Sequence, residues 1–209
     1  MIALSPSGTP TDPVLIRILI AAIGPVVTVL LAWLVGHKLS AMWAERQKSR
    51  ELAILAANEF YRIYGEFFAV WKLWNSLRKR GIARKSGLGD DRNRLQLLER
   101  ATRAEGSMEA LLVKLSTERR LSVHDIRNIG EFRQLFQLLR PAIRRGVSIG
   151  WNKSDHPQYV AFKERACAMA SIIASADRFS LPDPKTAGVA LLAMTSNRWE
   201  EFVAKLIRR

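Results

Sequence analysis

Cysteine is nearly absent: the single Cys167 among 209 residues cannot form an intramolecular disulfide, a usage that fits a reducing compartment. Set among Ala166, Ala168 and Ala170, it reads as a small buried apolar residue rather than a reactive thiol. Histidine is scarce as well. His37, His124 and His156 are far apart, with no HExxH pattern and no Cys/His pairs, so the spacing of a zinc site is missing. There is no glycine-rich phosphate loop ending in Gly-Lys-Ser or Gly-Lys-Thr. The Gly87 and Gly89 pair lacks the strand and helix of a dinucleotide motif. Ser154, Asp155 and His156 are consecutive, and neighbours in sequence do not by themselves supply the convergent geometry of nucleophile, base and orienting acid. No catalytic motif and no cofactor motif is present, so a non-enzymatic protein without a cofactor is expected.

Strand-like alternation and hairpin signals are also missing, as are internal repeats and any Pro/Ser-rich linker between domains. Residues 40–77 contain no proline and only one glycine, Gly65. These absences point to an all-α chain.

What the sequence does contain is a long hydrophobic run. Residues 14–36 carry one charge, Arg17, and the uncharged residues 18–36 alone would extend about 28 Å as a helix, close to the thickness of a bilayer core. The run exceeds the roughly 7 to 15 residues of a signal-peptide core, and no small-residue cleavage site follows it. Arg17 lies within one turn of the boundary, where its side chain reaches the headgroups. Gly24 and Pro25 fall near the middle, and the missing amide hydrogen is expected to kink the span there or free a carbonyl. Ahead of the run the charges are Asp12 and the terminal amine; behind it Lys38, Arg46, Lys48 and Arg50 are opposed by Glu45. The positive-inside rule therefore places residues 37–209 in the cytoplasm and the short tail, residues 1–13, outside the inner membrane. Trp33 and Trp43 suit the aromatic belt at that interface.

Charge is unbalanced. Of 33 Lys and Arg against 19 Asp and Glu, all but Arg17 and Asp12 lie beyond residue 36, so the net charge of +14 belongs to residues 37–209. Such an excess attracts anionic lipid, nucleic acid or an acidic protein.

The body reads as about five helices. Ala53, Ala57, Phe60, Tyr64, Phe67, Phe68, Trp71 and Trp74 recur in steps of three and four on one helical face. Phe60, Tyr64, Phe67, Phe68, Trp71 and Trp74 are accordingly candidates for the core of a bundle, or else for an interface with another helix; stacking on bases is the weaker use. Glu59, Arg62 and Glu66 on the neighbouring face suit an intrahelical charge ladder. Residues 76–90 read as a glycine-containing loop that holds Arg78, Lys79, Arg80, Arg84 and Lys85, the densest basic patch in the chain. If the helix runs straight from the membrane, residue 78 lies about 55 Å from it, far beyond a Debye length of about 8 Å. Such a run is ordinarily a solvated loop; as a contact surface, it suits an acidic protein or nucleic acid better than lipid.

Leu97, Ala101, Ala104, Met108, Leu111 and Leu115 form a second seam. Ser122 and Asp125 offer a capping box ahead of Ile126, Ile129, Phe132, Phe136 and Leu139, with Pro141 a stop or kink and Arg144, Arg145 and Gly146 a C-terminal close. Pro157 opens a helix carrying Tyr159, Phe162, Ala166, Ala170 and Ile173. Asp183 and Pro184 start the last segment, carrying Leu191, Leu192, Trp199, Phe202, Val203 and Leu206, with Ser196 a second cap. The expectation is an all-α protein with one N-terminal transmembrane helix (residues 14–36) followed by a cytoplasmic bundle (residues 37–209). Its function would be that of a single-pass anchored interaction or adaptor protein. The alternative is a membrane-active effector, of toxin or phage-defence type, whose spans self-associate and perturb the bilayer.

Overall fold

The computed structural model describes residues 13–84, 89–151, 154–175 and 181–207. Among them no β-strand occurs. The order is α1 (Pro13–Arg84), α2 (Gly89–Glu118), α3 (Val123–Phe136), α4 (Leu139–Arg145), α5 (Pro157–Ala174), α6 (Pro184–Thr195), a 3₁₀ turn (Asn197–Trp199) and α7 (Glu200–Ile207). The chain divides into two compact units, Met1–Lys48 and Ser49–Arg209.

In the first unit the described residues are all helical, and every described side chain from 24 to 48 is exposed. This stretch is long and apolar enough to cross a membrane, and none of its most apolar window is buried. Helix α1 continues through Pro25. Proline has no N–H to return to the carbonyl of residue 21, while one turn later the Thr28 hydroxyl donates to the Gly24 carbonyl oxygen at 2.8 Å.

The second unit is a helical bundle. On α1 the buried apolar residues are Ala53, Ala56, Phe60, Ile63, Phe67, Val70, Trp71 and Trp74, a seam stepping alternately by three and four. Ala57, Tyr64 and Phe68, expected on the same face, are half-buried along its edge; Ala56, Ile63 and Val70 complete the seam. The second seam is buried in full: Leu97, Ala101, Ala104, Met108, Leu111 and Leu115 are each at most 5% exposed. Phe162 of α5, with no exposed surface, is the hub of an aromatic cluster. Its ring lies 4.7 Å from Phe67, 5.1 Å from Phe132, 5.1 Å from Trp151 and 5.8 Å from Tyr64, centroid to centroid, the range in which aromatic pairs attract beyond simple burial.

Local signals set the helix ends. The Ser122 hydroxyl accepts from the Asp125 amide while the Asp125 carboxylate accepts from the Ser122 amide, closing the capping box of α3. The break between α3 and α4 falls at residues 137–138, four residues ahead of Pro141, where the proline ring and its missing N–H are incompatible with continued helix. Pro141 itself sits in the first turn of α4, where its amide would have no partner anyway. Gly146 closes α4 with a left-handed φ of 70°, a conformation that favours glycine. Asp183 caps α6 through the amides of Lys185 and Thr186, and Ser196 ends it, so the last segment is two helices.

Four expectations change. The basic stretch thought to be a loop is helix as far as Arg84, because nothing before Gly87 compels a break; Gly81 lies inside α1. Glu66 is held mainly from another helix: Arg100 of α2 grips it with two bonds, at 2.7 and 3.0 Å, while Arg62 on the same helix contributes only its field. Cys167 is exposed, since it falls on the outer face of α5 next to buried Ala166. Leu192 is 73% exposed, opposite Ala190 and Met194, which face the core.

Candidate functional site

The basic residues at the end of α1 acquire neighbours from two other elements. The Trp74 indole N–H donates to the Val147 carbonyl at 2.8 Å, and Ser148 donates to Asn75 at 3.4 Å. The segment just after α4 is thereby fastened to α1, one turn before Arg78 and Lys79. The Arg94 guanidinium donates to the Arg144 carbonyl at 2.6 Å, joining the start of α2 to the end of α4 and satisfying a carbonyl that the helix terminus leaves open. One end of the bundle therefore gathers Arg78 and Lys79 from α1, Arg92 and Arg94 from α2, and Arg144 and Arg145 from α4. Lys79, Arg92, Arg144 and Arg145 are exposed there and Arg78 is half-buried. Arg80 and Arg84 lie on α1 but their side chains, like Lys85, fall outside the described residues.

Among the described residues, none of Arg78, Lys79, Arg92, Arg94, Arg144 and Arg145 has a carboxylate partner. Elsewhere in the bundle several arginines are matched to acids: Arg100 with Glu66, Arg103 with Glu99, Arg133 with Glu109 and Arg140 with Glu105. Glu131, 1% exposed, takes both Arg127 at 2.8 Å and Arg165 at 2.6 Å. Part of the basic cluster is accounted for by helix dipoles, because cations in the last turn of α4 meet its negative end. That effect explains a preference for positive charge at Arg144 and Arg145; it supplies no counter-ion.

The sequence named the α1 members of this group and passed over the rest. Arg92, Arg94, Arg144 and Arg145 lie some 50 positions apart in two sets, and no linear pattern announces that they meet; only Arg144 and Arg145 carried a signal, as the basic close of a helix. The six aromatic candidates do not join the cluster. Phe60, Phe67, Trp71 and Trp74 are each at most 8% exposed, and Tyr64 and Phe68 pack half-buried against the same core. Gly24 and Pro25 belong to the other unit.

A buried charge lies between α2 and α4. Glu105, 9% exposed, forms an ion pair with Arg140, Oε2 lying 2.8 Å from Nε, but neither that Nε nor the buried Glu105 Oε1 makes a hydrogen bond. Loss of hydration dominates its titration: burial raises the carboxyl to about 7, Glu109 pushes in the same direction, and Arg140, Arg133 and Arg144 pull the other way. Glu66 moves oppositely, lowered chiefly by its hydrogen bond from Arg100. Among the described residues no group of three or more His, Cys, Asp or Glu side chains could hold a metal ion.

The arrangement offers concentrated positive charge on a folded support. No protein-family model matches the chain, no curated protein resembles it significantly in sequence, and no solved structure resembles it significantly in fold.

Proposed function

We propose that this chain is a single-pass, membrane-anchored, non-enzymatic interaction protein that presents the basic end of its helical bundle to an acidic protein at the cytoplasmic face of the inner membrane. The observation that carries this reading is the set of six basic side chains without a carboxylate partner at the junction of α1, α2 and α4, in a bundle whose other arginines are largely paired. Like charges held together raise one another's energy, and a polyanion relieves that cost. Anchoring is supported by the uncovered apolar stretch of α1, since water-exposed apolar surface of that extent is otherwise unfavourable. Orientation rests on Lys38, Arg46, Lys48 and Arg50 following the stretch.

A protein partner is favoured over nucleic acid because, among the described residues, no exposed aromatic accompanies the cluster to stack on bases. Trp74 is buried, and Tyr61, 58% exposed, lies about 25 Å up the helix from Arg78 at ~1.5 Å per residue.

The test is a quadruple variant, Lys79→Gln, Arg92→Gln, Arg144→Gln and Arg145→Gln, of the full chain in nanodiscs of zwitterionic lipid, titrated with polyglutamate and with single-stranded RNA at two ionic strengths. Salt-sensitive binding of polyglutamate that the variant loses is expected. Binding of RNA alone would transfer the site to nucleic acid, and no binding of either at low salt would refute a polyanion surface. A phosphatase that is active only in the periplasm should be inactive when fused after Arg209; an active fusion would invert the topology.

A further inference from the structure

A second basic feature lies away from the bundle end, in a cleft between α1 and α2. It encloses about 360 Å³ and is lined by Arg62 and Glu66 of α1 and by Arg100, Arg103 and Ser107 of α2, over a floor of Ile63 and Ala104. The floor is apolar and dry, Ile63 being 2% and Ala104 5% exposed.

Three guanidinium groups share this cleft with one carboxylate, and that carboxylate is already spent. Both Glu66 oxygens are held by Arg100, through Nε at 2.7 Å and one terminal nitrogen at 3.0 Å, which leaves the other terminal nitrogen of Arg100 with its two N–H donors. Arg103 uses one terminal nitrogen on Glu99 at 2.8 Å, leaving its remaining N–H groups. Arg62 forms no ion pair among the described residues, although Glu66 stands one turn away. The positive field of all three arginines reaches one point, since Arg100, Arg103 and Arg62 each help lower the Glu66 carboxyl.

Guanidinium groups presenting parallel N–H donors suit the oxygens of a phosphoryl group better than a point-like anion. The cleft is at the lower end of the size range of small-molecule sites, about 300 to 1,000 Å³, so it has room for more than a bare phosphate. From this geometry we propose that the α1–α2 cleft binds a phosphorylated small molecule, its phosphoryl oxygens bridged by Arg62, Arg100 and Arg103, with Ser107 as a hydroxyl ligand and the body of the molecule over Ile63 and Ala104. The phosphoryl group can come from a soluble metabolite or from the headgroup of a phosphorylated lipid.

The experiment uses the full chain in nanodiscs. In one arm, zwitterionic nanodiscs are titrated with adenosine diphosphate and with inorganic pyrophosphate by calorimetry. In the other, the chain in detergent is mixed with vesicles containing a phosphoinositide. Saturable binding in either arm supports the site and identifies its source, and Arg62→Gln with Arg103→Gln should weaken it at least about tenfold. Both side chains are solvent-exposed, so circular dichroism should show an unchanged fold. The Lys79, Arg92, Arg144 and Arg145 quadruple variant should bind the same probes as the wild type; that control separates this cleft from the bundle end. No saturable binding at low salt, or binding lost in the quadruple variant and kept in the cleft variant, would overturn the proposal.

Discussion

Replacing Glu105 by Gln should remove a pH dependence from the stability of the bundle. The carboxyl is buried between α2 and α4, faces Arg140, Arg133 and Arg144 together with Glu109, and is raised from 4.5 to about 7. A raised carboxyl means that the folded state holds its proton more tightly than the unfolded chain. The contribution of Glu105 to stability is therefore fully present below about 4.5, falls as pH rises through the interval, and is lost above about 7. At about 1.4 kcal/mol per pH unit the full displacement amounts to about 3.5 kcal/mol, an upper value because Arg140 is partly solvated and stays beside the ionised form. Urea unfolding of the full chain in mild detergent, followed by the fluorescence of buried Trp71, Trp74 and Trp151, should show wild-type stability declining by up to about 3 kcal/mol between pH 5 and pH 8. Glu105→Gln should flatten that decline and be the more stable protein at pH 8, since the amide fills the same space beside Arg140 without a charge to desolvate. A wild-type profile that is level or rising across this range, or a variant that keeps the slope, would refute the argument.

Other substitutions test the packing. Phe67→Ala removes a ring 1% exposed, in contact with Phe136 at 4.8 Å and Phe162 at 4.7 Å, and should cost about 3 to 5 kcal/mol by urea unfolding. Gly130→Ala places a methyl group against the indole of Trp199, which is pinned by its own bond to the Ala193 carbonyl at 2.9 Å. The clash should outweigh the helical preference of alanine and destabilise by about 1 to 3 kcal/mol, whereas Gly130→Ala combined with Trp199→Leu should recover part of the loss. Arg119→Lys should lower the melting temperature despite conserving charge. The guanidinium, 1% exposed, donates to the carbonyls of Ile172, Ser175 and Ile173 at the end of α5, and each such bond lost costs about 1.5 to 3 kcal/mol.

Helix ends and seams were legible in the sequence because their causes are local. Ser122 with Asp125, Pro157, and Asp183 with Pro184 each act within one helical turn, and each begins a helix in the structure. The α2 seam needed only periodicity. On α1 the large rings drew attention toward Tyr64 and Phe68, while Ile63 and Val70 lie deeper, because position around the helix decides burial and ring size does not. What the sequence could not show is contact between distant segments. Glu66 and Arg100 are 34 residues apart, Arg94 and Arg144 are 50 apart, and Arg119 reaches carbonyls more than 50 residues on. Both basic features depend on such pairings, so neither could be drawn in full from spacing alone. The long apolar run was readable from composition, and the same composition is what marks it in the structure.

The exposure of Cys167 turns a compositional accident into an instrument. It is the only thiol in the chain, and it stands on the outer face of α5, the helix whose Phe162 anchors the aromatic cluster. A nitroxide or maleimide dye can therefore be attached to the natural sequence at one defined place, without removing other cysteines. Five residues, or about 7.5 Å of helix, separate that label from the ring at the centre of the bundle, so its spectral line shape or anisotropy would register any loosening of α5 when a partner or a phosphorylated ligand is added.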